Sequence, residues 1–364
     1  MINSKQIKIN LATFDLVKGF LMIGIVIVHM LAPYNFDEFA LKTPMNLFVS
    51  FAGATVNYTF FYISGYGFKP KPVKTTLKKT CSDLLKPYAY VAVFTIILLP
   101  VVHYLSFGWW PGAIGEGIKY FFSFLLGISE SKYAKVVFGY ELYNCAVVWF
   151  LLALFVSHNL LNLILKLKDE WKQHIVVVIC VSVGYVLHCI DMTYFCLAKG
   201  LLATGYCYAG YLLKKHKFFG REKYPKGIFW IVTIATLLHT ASIFTRRLAG
   251  EYGFELVDFF GSFFSGFFLM SCGVFMSQLE WKGLEWIRKI GMYTYWIMCI
   301  HSVEGVCLLW YRWATMMEGR QPLAFVIELL IRAAIIGTSC VVIKKISKFN
   351  YARRKVQNGK EKLC

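Results

Sequence analysis

Of 364 residues, 58% are hydrophobic, 18% aromatic and only 16% charged, yet Lys and Arg outnumber Asp and Glu to give a formal charge of +19. Apolar runs recur along the whole chain, most of them long enough to cross the ~30 Å hydrocarbon core of a bilayer. The pattern excludes a soluble domain. It also removes nucleic acid as the reason for the charge, because in a membrane protein a basic excess first marks cytoplasmic loops.

The chain opens with Lys5 and Lys8 ahead of an apolar run, as a signal peptide would. The run is long, however, and the sequence after it, HMLAPYNF, offers no small-residue cleavage site. It reads as a retained first span over 14–32. Further spans are predicted over 47–67, 88–106, 143–165, 174–190, 194–213, 228–244, 256–277, 291–312 and 323–343. A shorter piece, 117–128, is ambiguous by length alone. If it does not cross, most of the 39 Lys and Arg gather on one side, in the start, 68–87, 166–173, 214–227, 278–290 and the tail from 344. Letting it cross scatters them, against the positive-inside rule.

The expectation is therefore an all-α polytopic transmembrane bundle of about ten spans with both termini cytoplasmic. An integral membrane domain covers 1–345 and a basic tail covers 346–364 as a lipid-surface anchor. The outer loop 107–142 contains an interfacial or re-entrant helix. The eleven cysteines lack metal-ligand spacing, so no metal site is expected. Cys189 and Cys196 flank a short turn and could pair if it faces an oxidising side.

A charge at mid-bilayer costs about 2.5–3.5 kcal/mol on insertion scales, so each embedded one needs a reason. In FDLVKGFLMIGIVIVHM (14–30), Lys18 and His29 are eleven positions apart. At 100° per residue they share a helix face, ~16 Å apart along the axis. Asp15, three residues before Lys18, joins that face. Lys18 reads either as an anchor snorkelling to the inner interface beside Asp15 or as part of a polar cavity. His29, toward the outer half, is either an interfacial cap or a functional imidazole. In IGMYTYWIMCIHSVEGVCLLWY (290–311), His301 is followed at i+3 by Glu304, a carboxylate able to orient an imidazole base. Glu328 and Arg332 are spaced to satisfy each other. Lys199 is isolated and could line the cavity. His158 and His239 read as helix-contact residues.

In FFYISGYGFKPKP (60–72), Ser64, Gly65 and Gly67 permit close helix approach or a break. The following loop, KPKPVKTTLKKTCSDLLKPY, holds six lysines; they are plain positive-inside charge or a receptor for a phosphate-bearing donor.

These residues resemble the acyltransferase 3 family of integral membrane acyltransferases. FDLVKGFLMIGIVIVH resembles its Asp-x-x-Arg-Gly signature with a His eleven residues after the Arg, Lys18 standing in the Arg place. FFYISGYG is similar to its Phe-Phe-x-x-Ser-Gly stretch, VVWFLLALFVS with Trp149 to its Trp-Phe-Leu span, and IGMYTYWIMCIH to the late segment ending here in His301. Lysine keeps the charge but loses the bidentate fork of arginine. Lys78, Lys79 and Lys86 stand where the family is rich in arginine.

The resemblance implies a stand-alone membrane enzyme that moves an acetyl or other short acyl group from cytoplasmic acyl-CoA to a hydroxyl, commonly on a cell-envelope glycan. Acyl-CoA is then a donor substrate, and no cofactor is permanently bound. The implied catalytic set is His29, His301 and Glu304. Lys18, Lys78, Lys79 and Lys86 serve the donor, and Asp15, Ser64, Gly65 and Trp149 wall the cavity. The implied location is the plasma membrane, and a homo-oligomer is compatible with the sequence. From the residues alone, a transporter or flippase using the same groups as a coupling relay stands beside this reading.

Overall fold

The computed structural model describes residues 11–31, 33–34, 42–129, 134–220, 226–248, 256–278 and 282–360. In chain order its helices are α1 (Asp15–Leu31), α2 (Lys42–Gly67), α3 (Val73–Thr80), α4 (Lys86–Phe107), α5 (Trp110–Leu125), α6 (Trp149–Ile164), α7 (Glu170–Cys189), α8 (Leu197–Lys215), α9 (Lys226–Leu248), α10 (Leu256–Met276), α11 (Glu285–Cys307), α12 (Trp310–Met316) and α13 (Gln321–Lys360). A π-helical turn, Cys81–Leu85, joins α3 to α4. The architecture is all-α, and its helices occupy all ten apolar runs of the sequence.

Among the described residues, eight helical stretches are long and apolar enough to cross a membrane, and the bent pair α11–α12 makes nine. The remaining run is α8, which carries Lys199, Lys214 and Lys215 and packs against α2, α6 and α7. Outward faces are greasy: Tyr90, Val93, Phe94 and Ile97 on α4, and Trp230, Ile231, Ile234 and Leu237 on α9, are all more than half exposed. Their spacing of three and four residues is one helix face. Inside, by contrast, lie Thr55, Thr59, Ser262, His301, Glu304, Glu328 and Arg332. Apolar surface outside and hydrogen-bonded polar groups inside is the arrangement a bilayer selects; this is a membrane protein.

Small residues bring the helices together. On α2 and α8, Gly65 lies against the Cys207 carbonyl and Gly210 against that of Tyr62, positions where any Cβ would overlap main chain. Gly65 thus makes a close approach and does not break its helix. Aromatic rings fill the neighbouring layer, where Tyr206 sits 4.4 Å from Phe263 and donates to or accepts from Ser262 Oγ at 2.6 Å.

The segment 107–142 carries α5, at 16 residues not among the helices fit to cross. It folds back along α4, where Gly117 meets the Pro100 ring. Beyond it lies a feature absent from the all-α expectation: a hairpin in which Lys135 pairs with Leu142 and Val137 with Tyr140. Its two-residue turn, Phe138–Gly139, has positive φ at both positions (48° and 81°), as such tight hairpins require.

Cys189 and Cys196 are separate thiols, the first exposed and the second buried. The start of α8 turns Cys196 inward, where its Sγ donates to the Gly127 carbonyl at 3.3 Å and contacts Cys145 instead.

Candidate active site

The site begins with two glycines. Gly19 of α1 lies against the Ile287 carbonyl, and Gly291 of α11 against that of Asp15. A side chain at either position would hold the helices apart, so DLVKG and IRKIG seat α1 and α11 backbone to backbone. Toward the C-terminal ends of both helices, His29 meets His301, with Nδ1 and Nε2 3.0 Å apart. The helices therefore run parallel. His29 is exposed, whereas His301 is only 1% exposed.

Behind His301 stands Glu304, whose Oε1 is 2.7 Å from His301 Nδ1. The same oxygen accepts from Arg332 Nη1 at 2.7 Å, and Oε2 accepts from Trp310 Nε1 at 2.8 Å. Arg332 Nε donates in turn to Glu328 Oε1 at 2.6 Å, and Tyr34 Oη donates to Glu328 Oε2 at 2.6 Å. The chain of contacts runs His29–His301–Glu304–Arg332–Glu328–Tyr34 and joins α1, α11 and α13.

The span predicted over 291–312 is present but broken. α11 stops at Cys307, Leu309 turns with φ 48°, and α12 leaves at a bend of 54°. That break folds Trp310 back onto Glu304 and lays it under the Arg332 guanidinium, 4.6 Å from the ring centre. Trp310 and Tyr34 carried no signal in the sequence, being aromatic residues in apolar surroundings. Arg332 was visible, but only as the partner of Glu328.

One turn from the histidines lies a cavity of about 790 Å³, its open mouth included. Lys18, Met22 and Ile25 of α1 wall it, with Ser64 of α2, Trp149 of α6 and Met298 of α11. Lys18 pairs with Asp15 at 2.6 Å. Lys199 sits 4.4 Å over the Trp149 ring, a cation–π contact. Ser64 Oγ shares a hydrogen bond with His158 Nε2 at 2.8 Å. Asn57, Thr294 and Tyr295 add further polar groups, and the remaining wall is apolar. His29 and His301 follow the lining residues Ile25 and Met298 by one helical turn, so the pair stands one turn past that part of the wall.

Lys78, Lys79 and Lys86 are exposed on α3 and the start of α4. Lys79 pairs with Asp83 in the π-helical turn. The Asp83 carbonyl accepts from Tyr295 Oη at 2.7 Å, and Tyr295 and Leu84 both line the cavity. The lysine-bearing segment thus borders the space that Lys18 faces. Of the sequence-nominated residues, His29, His301 and Glu304 meet in one chain, and Lys18, Ser64 and Trp149 share one cavity. Asp15 and Gly65 stand behind the wall, and the three lysines lie on the adjoining surface.

A family model described as an acyltransferase domain matches residues 11–343. Neither a curated protein nor a solved structure matches the chain.

Proposed function

The chain belongs to the acyltransferase 3 family, whose model covers nearly all of it, and we propose that this membrane acyltransferase moves an acetyl or other short acyl group from cytoplasmic acyl-CoA to a hydroxyl. The acceptor proposed is a cell-envelope glycan or a related saccharide, and the location the plasma membrane. The observation that carries the reading is the exposed His29 backed by His301 and Glu304, one helical turn past a cavity that borders a lysine-rich surface.

In this mechanism the CoA phosphates associate with Lys78, Lys79 and Lys86. The acyl-bearing arm passes Lys18 along the apolar cavity, and the ~16 Å from Lys18 to His29 suits an extended, flexible thioester arm. His29 takes the proton of the acceptor hydroxyl as general base. The oxygen attacks the thioester carbonyl, the C–S bond breaks, and the CoA thiolate leaves and is protonated from the imidazolium. An ester and free CoA result.

The test is purified protein in lipid nanodiscs with radiolabelled acetyl-CoA and a saccharide fraction of the cell envelope. Acceptor-dependent label transfer with stoichiometric CoA release is expected. His29→Ala is expected to lose at least about 100-fold in rate while folding normally; an undiminished H29A rate overturns the assignment. Movement of saccharide across the bilayer without CoA chemistry overturns the activity itself.

A further inference from the structure

We infer that Arg332 is a positioning residue for the base: it keeps Glu304 ionised, and Glu304, acting through His301, fixes which nitrogen of His29 bears a proton. The inference rests on the reading of His29 as the base.

An ionised carboxylate only accepts hydrogen bonds. His301 Nδ1 must therefore carry its hydrogen and donate it to Glu304 Oε1 at 2.7 Å. In a neutral ring that leaves a lone pair on His301 Nε2, which faces His29 Nδ1 at 3.0 Å. His29 Nδ1 must then be the donor, and the lone pair of His29 falls on Nε2. The rings support such a bond, being 14° from parallel with centroids 5.2 Å apart. That separation is the N–N distance plus roughly an ångström of each ring, so the imidazoles meet edge to edge with the N–H along the facing lone pair. Among the described residues no hydrogen bond reaches His29 Nε2, and His29 is an exposed residue. The nitrogen left open is the one a base needs.

Glu304 draws three donors, from His301, Trp310 and Arg332, and Arg332 is the permanent cation among them. Arg332 also serves Glu328, so one guanidinium stands between two carboxylates. All three groups are buried, at 4%, 0% and 2% exposure for Glu304, Glu328 and Arg332. Two carboxylates left together inside a membrane without that cation cannot both stay ionised.

A protonated Glu304 becomes a donor. It would give a hydrogen bond to His301 Nδ1 and move the His301 hydrogen to Nε2, which then donates to His29 Nδ1. The His29 hydrogen is pushed to Nε2, and the lone pair at the exposed face is gone. Removing Arg332 thus disables His29 through two tautomer changes, with no helix displaced.

The test uses nitrogen-15 histidine NMR of the full chain in bilayers without substrate, alongside acetyl-transfer kinetics. Wild type is expected to show His29 with a protonated Nδ1 and a bare Nε2. Arg332→Gln is expected to show the reverse and to lose about 100-fold in kcat, on the scale of lost outer-shell support, with little change in KM. Arg332→Gln combined with Glu328→Gln restores the net charge of the cluster; it is expected to regain the wild-type tautomer and at least about tenfold in kcat.

A folded R332Q with wild-type tautomer and rate overturns the proposal. Where R332Q does not fold, the double variant decides: the wild-type tautomer supports the proposal, and the reversed one overturns it. The NMR reads the resting protein, so a tautomer change in R332Q without acyl transfer by wild type would refute the proposed activity and leave the positioning role standing.

Discussion

Gly291 of α11 rests against the main-chain carbonyl of Asp15 in α1. This contact lies ten residues before His301, yet it sets how closely the two histidine-bearing helices run. With Gly19 against Ile287 it leaves no room for a Cβ on either side. Gly291→Val is expected to destabilise the protein by about 1–3 kcal/mol, the cost of overpacking, and to widen the His29–His301 gap beyond hydrogen-bond reach. A thermal melt in detergent and the acetyl-transfer rate measure the two effects. Both fall together if the contact sets the helix spacing, and a stable, fully active G291V would refute it.

Lys18 offers a second prediction. It is held at 2.6 Å by Asp15 while lining the cavity, so its charge is both anchored and available to a donor. Lys18→Arg keeps the pair and adds the planar fork that matches phosphate and carboxylate; KM for acetyl-CoA is expected to fall a few-fold with kcat unchanged. Lys18→Met leaves Asp15 without this partner and is expected to raise KM about tenfold, a difference of about 1.4 kcal/mol. If K18M changes kcat alone, Lys18 acts on the reacting atoms and not on donor binding.

How much of this was legible in the sequence depends on the range of the interaction. Helical arithmetic placed Lys18 and His29 on one face, because that relation is local to α1. His301 and Glu304, three residues apart, were likewise legible as a pair. Arg332 was legible only halfway, since its i+4 partner Glu328 is local while Glu304 lies on another helix. Tyr34 and Trp310 reach the site through a loop and a helix break, and neither leaves a periodic trace in an apolar stretch. The bend at Leu309 escaped for the same reason: hydropathy is continuous across it, and neither glycine nor proline marks the turn. The approximate position of every span was readable because bilayer thickness constrains length and composition.

The bond between Ser64 and His158 invites comparison with a nucleophile and its base, since Ser64 opens on the cavity. The backbone argues otherwise. Ser64 lies within α2, where interior N–H groups are already bonded to the preceding turn, so no main-chain donors surround it to stabilise an oxyanion. Nor does any carboxylate among the described residues orient His158, in contrast to Glu304 behind His301. The bond therefore ties α2 to α6. Ser64→Ala is expected to lower stability by about 1–3 kcal/mol, the cost of stranding a buried hydrogen-bonding partner, and to leave kcat within about threefold. Stopped reactions with labelled acetyl-CoA are expected to leave no ester on Ser64. A hundredfold loss of kcat in a stable S64A, or label on Ser64 in wild type, would make the serine a covalent participant and move the chemistry to the near end of the cavity.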